Sequence, residues 1–199
     1  MTSNQKTSVL ILVASIVTLF ANYVITNIFT TRVISEDLLF NIFPYHIVTE
    51  YLSDILFFYG IYLFFFKYFG HEKKKRLEII NLFSIFYIAR AILMMLTPLM
   101  RPTGVDIPSH GIFREVITQF GMFPSGHIGI LALMYFMIEG VKYIELKKVY
   151  WWVLLISSFL MIISMGHYSI DVVGGIMLSY IIVSEWRKRG PTKNYLFAN

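Results

Sequence analysis

No cysteine occurs among the 199 residues, which excludes disulfides, thiolate nucleophiles and cysteine-ligated metals. Charge is scarce as well. Only 15% of the residues are Asp, Glu, Lys or Arg, against 57% hydrophobic residues and a mean hydropathy of +0.66. A soluble domain of this length cannot bury so much apolar surface, so the membrane class comes first. Strand-like alternation of apolar and polar residues is missing, which argues against a barrel. Internal repeats, low-complexity stretches and a polar block that could form a second, soluble domain are also missing. No small-residue cleavage signal follows the first apolar run, so that run is expected to stay as an anchor.

What is there is a series of six apolar stretches, each near the roughly 20 residues a helix needs to cross hydrocarbon. They cover 8–29, 49–69, 79–100, 124–143, 150–166 and 168–186. They predict an all-α polytopic membrane protein, a single integral domain over 1–199 built as a six-transmembrane-helix bundle. The fifth and sixth run almost directly together at 166–168, as a tight turn at the bilayer surface would require. The mixed segment 35–47 is expected to lie along the interface. Lys6, Lys67, Lys73, Lys74, Lys75, Arg76, Lys142, Lys147, Lys148, Arg187, Lys188, Arg189 and Lys193 fall on one side of this topology, thirteen of the seventeen basic residues. Arg32, Arg101 and Arg114 fall on the other side, and Arg90 lies inside the third stretch. That asymmetry predicts two cytoplasmic termini. Because the basic residues hug membrane ends, no nucleic-acid partner is expected.

Two polar thresholds interrupt the apolar pattern on the expected non-cytoplasmic side. The first, "GMFPSGHIGI" (121–130), opens the fourth stretch with proline, serine, glycine and histidine. Proline suits a helix's first turn, serine caps its N-terminus, and glycine lets backbone N–H groups approach a ligand. A helix start of this kind can bind an anion such as phosphate on Ser125 and Gly126, with His127 beside it. It also suits a plain capped membrane helix with an interfacial histidine. The second threshold, "GHYSID", carries His167 and, four positions on, Asp171. A carboxylate on one imidazole nitrogen fixes the tautomer and raises the basicity of the other, as attack on phosphorus requires. The same pair could simply hold the turn. Taken together, the thresholds make a complete constellation for phosphoryl chemistry. Arg90, costly within a membrane helix, needs either a phosphate or a buried ion pair with Asp54 or Glu50. Arg101 and Arg114 could meet an anionic head group or merely solvent and lipid.

These residues resemble the type 2 phosphatidate phosphatase superfamily, in which a PSGH motif precedes a histidine separated by three residues from an aspartate. The lysine of that family's usual first motif is Met94 here, ahead of Arg101 and Pro102. The stretch 90–180 is more similar to the sphingomyelin synthase-like branch, through "YIARAILMMLTPL", "GMFPSGHIGILALMYF" and "HYSIDVVGG", although Pro124 matches the phosphatase branch. The resemblance implies a catalytic region over 90–180. In it His167 is the nucleophile, Asp171 its orienter and His127 the general acid and then base. Arg90, Ser125, Gly126 and Arg101 bind phosphate. It implies membrane-lipid substrates, no metal or other cofactor, and a site on the non-cytoplasmic face. The expected activity is transfer of a phospho-head group, phosphocholine- or phosphoethanolamine-like, between lipid alcohols. The alternative is a lipid phosphatase acting on phosphatidate or an isoprenoid phosphate. A transporter would spread polar residues through the membrane depth, whereas here they gather at one rim.

Overall fold

The computed structural model describes residues 3–27, 36–43, 47–97, 99, 102 and 123–189. Arg32, Arg101, Arg114, Lys193, His46 and His110 lie outside the described residues, and with them the expected phosphate contact of Arg101. The described elements are helices: α1 (Ser3–Asn27), α2 (Leu38–Ile42), α3 (Ile47–Leu63), α4 (Arg76–Leu96), α5 (Gly126–Met137), α6 (Ile144–Ile163) and α7 (Ser169–Arg189). A π-helical segment, Phe64–Phe69, extends α3, and short 3-10 turns lead into α4 and α6.

Five helical stretches are long and apolar enough to cross a membrane: Ser3–Ile25, Tyr51–Phe69, Lys73–Leu96, Val141–Ile163 and Ser169–Arg189. The expected fourth span is different. Its helix, α5, has 12 residues, about 18 Å at 1.5 Å per residue, against about 30 Å of hydrocarbon. The break that follows has visible causes. Gly140 takes φ 97°, a backbone region that glycine enters at little cost. The freed carbonyls at the end of α5 find side-chain donors, the Tyr68 hydroxyl to Met137 O at 2.7 Å and the Arg187 guanidinium to Phe136 O. The residues from Val141 onward therefore join the next span, which begins nine residues before the expected 150.

The short helix is also the central one. Ile128, Leu131, Ala132, Leu133 and Met134 of α5 are all buried. It packs against α7, α6, α3 and α4, while α1 lies along α4 and α3 along α6. The outer faces expose Leu12, Leu19, Phe58, Phe66, Trp152 and Met177, a surface suited to lipid tails. The α5–α7 contact is backbone against backbone. A Cβ on Gly175 would lie 2.8 Å from Ser125 O and 3.0 Å from Gly129 N. The Ser179 hydroxyl stands 2.7 Å from Gly129 O and 2.9 Å from Gly175 O. Small residues that allow such approach, with a hydroxyl across the seam, are how helices associate where lipid removes the hydrophobic drive.

Charge gathers at the end where α5 stops. Glu139 pairs with Lys75 at 2.9 Å and with Arg187, and Glu72 pairs with Lys142 at 2.7 Å. Hydrogen bonds from Lys142 and Tyr143 hold the Glu72 carboxyl below the usual carboxylate range. Three basic clusters far apart in sequence thus share one end of the bundle. At the opposite end Asp37 ties the short α2 to the start of α7. Its carboxylate accepts from Leu39 N at 3.0 Å, capping α2, and from Ser169 N.

Gly175→Ala is expected to force α5 and α7 apart at Ser125 and Gly129 and to cost about 1–3 kcal/mol, as overpacking does. Thermal unfolding in detergent reads this directly; an unchanged midpoint would mean that the seam has slack.

Candidate active site

The site grows from the first turn of α5. Ser125 is its N-cap, with Oγ accepting from Ile128 N at 3.4 Å. The Ser125 N–H donates instead to Asp171 O, 2.9 Å away at the start of α7. One backbone hydrogen bond therefore joins the two sequence thresholds. Arg90, on α4, donates from Nε to Pro124 O at 3.0 Å. Its guanidinium lies against the bare Cα of Gly126, where a Cβ would sit 3.1 Å from Nε and 3.2 Å from Cζ. Glycine at 126 is what lets a cation rest on the positive end of a helix, a place that favours an anion between them.

His127 follows on the same turn. The Phe57 ring packs edge-on against its imidazole, centroids 4.4 Å apart, and Asp54 Oδ1 lies 3.8 Å from its Nε2. His127 stands within electrostatic reach of both Arg90 and His167. Arg90 in turn interacts electrostatically with Asp171 and Tyr87.

The second threshold is built by a capping arrangement. The helix begins at Ser169, so His167 and Asp171 do not share a helix face; the turn folds one back onto the other. Asp171, in the third helical position, reaches back to accept from Tyr168 N at 3.0 Å, half of a capping box. The same oxygen, Oδ2, lies 3.3 Å from His167 Nδ1. Asp171 is fully buried and His167 is 8% exposed. Asp171 Oδ1 has no hydrogen-bond partner among the described residues, and the nearby Arg90 charge offsets part of that cost. With Nδ1 turned to the carboxylate, Nε2 is the ring nitrogen left over for another partner.

His127, His167, Asp171, Arg90, Ser125 and Gly126 therefore come together at one end of α5 and α7. Asp54, weighed in the sequence as a partner for Arg90, stands beside His127; the Glu50 side chain lies outside the described residues. Phe57 and Asp37 were not anticipated. For the α3 side of the site the available signal was Asp54, a carboxylate within an apolar helix, a costly placement that usually marks function. Among the described residues no group of three or more His, Asp or Glu side chains could hold a metal ion.

Five apolar helices of spanning length, with polar and titratable groups gathered at one end of the bundle, fit a membrane protein. Residues 122–188, about a third of the chain, match the family model described as PAP2 superfamily C-terminal. The match takes in both histidine motifs and supports the PAP2 superfamily, whose members are phosphatases or phosphotransferases. Arg90 and the rest of the expected first motif lie outside it. No curated protein and no solved structure matches the chain.

Gly126→Ala is expected to lift the Arg90 guanidinium off the helix start. Affinity for vanadate, a phosphate mimic, should fall about tenfold, the equivalent of about 1.4 kcal/mol. Isothermal titration of the detergent-solubilised protein checks this. Equal affinity would remove Arg90 and Gly126 from the anion site.

Proposed function

We propose that the chain is a membrane lipid phosphotransferase. It moves a phospho-head group between lipid alcohols through a phosphohistidine-type intermediate, as in the sphingomyelin synthase-like branch. The observation that carries this reading is the meeting of a helix start, a guanidinium and two imidazoles, one of them carboxylate-backed, at a single end of the bundle. In this reading α5 is a sixth, short membrane helix, both termini are cytoplasmic, and the site faces away from the cytoplasm. The one-sided placement of basic residues supports the orientation.

The donor phosphate rests on the first turn of α5, between Ser125, Gly126 and Arg90. His167 Nε2 attacks phosphorus as the bond to the leaving alcohol breaks, and imidazolium His127 gives that alcohol its proton. Asp171 holds His167 in the reactive tautomer and stabilises the positive charge that develops on it. In the second half His127 takes the proton of an acceptor hydroxyl, whose oxygen bonds to phosphorus while the N–P bond breaks. Both halves balance in protons, and His127 returns to its starting state. With a monoester donor and water as acceptor the same steps give a lipid phosphatase, the reading that Pro124 in the PSGH motif favours.

Purified protein supplied with a phospholipid labelled at its head-group phosphate and several acceptor alcohols should move the label into an acceptor lipid. Release of free phosphate from a labelled monoester would mark hydrolysis instead. His127→Ala and His167→Ala should each lower turnover by at least about a hundredfold, the scale of a lost acid–base or nucleophilic group, with the detergent melting midpoint retained. Undiminished turnover in either variant overturns the assignment.

A further inference from the structure

We propose that Asp54 is a positioning residue for His127, so that the site holds two carboxylate–imidazole dyads rather than one. The inference rests on the phosphotransfer reading above. Its basis is geometric. Asp54 comes from α3, an element that contributes nothing to the two sequence motifs, yet its Oδ1 lies 3.8 Å from His127 Nε2. Three positions on, along the same helix face, Phe57 sets its ring edge-on against the same imidazole. The carboxylate fixes one nitrogen and the ring fixes the plane, so α3 grips His127 from one side.

The charges around His127 make that grip consequential. Arg90 from α4 and His167 from the turn before α7 both stand within electrostatic reach of it. Arg90 brings a permanent positive charge to that neighbourhood. The described negative charge within ion-pair distance of His127 is Asp54. A general acid that must start as imidazolium needs such a counter-charge. The separation slightly exceeds a hydrogen bond, as acid–base contacts often do before substrate tightens them.

The consequence is a mirrored use of ring nitrogens. His167 turns Nδ1 to Asp171 and keeps Nε2 for phosphorus. His127 turns Nε2 to Asp54 and keeps Nδ1 for the alcohol proton. Each imidazole is oriented by a carboxylate from a separate element, Asp171 on α7 and Asp54 on α3, so the two tautomers are set independently.

The test combines kinetics with a signal that does not depend on turnover. Asp54→Asn keeps the side chain's size and removes its charge; kcat should fall at least tenfold with KM within twofold of wild type, and Asp54→Glu should recover most of it. In protein labelled with 15N-histidine, the His127 ring signals, assigned by their loss in His127→Ala, should shift toward a mixed tautomer in Asp54→Asn. Wild-type kcat in Asp54→Asn, a rise in KM alone, or unaltered His127 ring signals would each overturn the proposal. If the wild-type protein transfers no phospho-group, the functional reading falls, and the ring signals alone decide whether Asp54 sets His127.

Discussion

The seam between α5 and α7 is the contact on which the site depends. Gly129 and Gly175 bring the two backbones close enough that Ser125 N can reach Asp171 O, and Ser179 stitches the helices one turn further in. That approach turns two polar thresholds, forty residues apart, into one locus. In lipid no hydrophobic force draws helices together, so close packing and the hydrogen bonds it permits must do so. The glycines therefore serve chemistry indirectly. They set how near the start of α5 comes to the carboxylate-backed imidazole.

Grouping charge is the other condition. A lone arginine or carboxylate within a membrane bundle is costly, and each buried polar atom needs a partner. Here the groups answer one another. Arg90 donates to Pro124 O and feels Asp171; Asp171 serves Tyr168 N and His167 while its carbonyl serves Ser125; Asp54 stands by His127. Removing any one would take a partner from a neighbour. This interdependence explains why the polar residues cluster instead of spreading along a path through the bundle.

Much of this was legible in the chain because it is local. Hydropathy located the long spans, the PSGH and HYSID motifs named five of the residues that gather at the site, and Arg90 stood out as a charge inside an apolar stretch. What stayed hidden is tertiary. The run from Ile138 to Tyr143 reads as a continuing apolar helix, and α5 ends early because Gly140 turns the backbone and Tyr68 and Arg187 take its last carbonyls. Neither partner is near α5 in sequence. The His167–Asp171 pairing was expected from helical spacing, but a capping turn produces it, since the helix starts only at Ser169. That Asp54 reaches His127 depends on how α3 is rotated against α5, which no local pattern encodes.

The shortness of α5 bears on which molecules the proposed reaction can use. Its charged far end, where Glu139 meets Lys75 and Arg187, marks a polar boundary. The anion site stands one α5 length away, about 18 Å, and so falls short of the far side of a hydrocarbon layer of about 30 Å. A free phosphate would have to shed its water to descend to that depth, at a cost of several kcal/mol. A phosphate carried by a lipid meets the same cost, but its tails gain from the apolar outer faces of the bundle. The acceptor meets the same constraint. A lipid hydroxyl approaches through the bilayer with little loss of solvation. Depth of the helix start thus supports a lipid-borne donor for the proposed reaction, for a reason independent of the motifs.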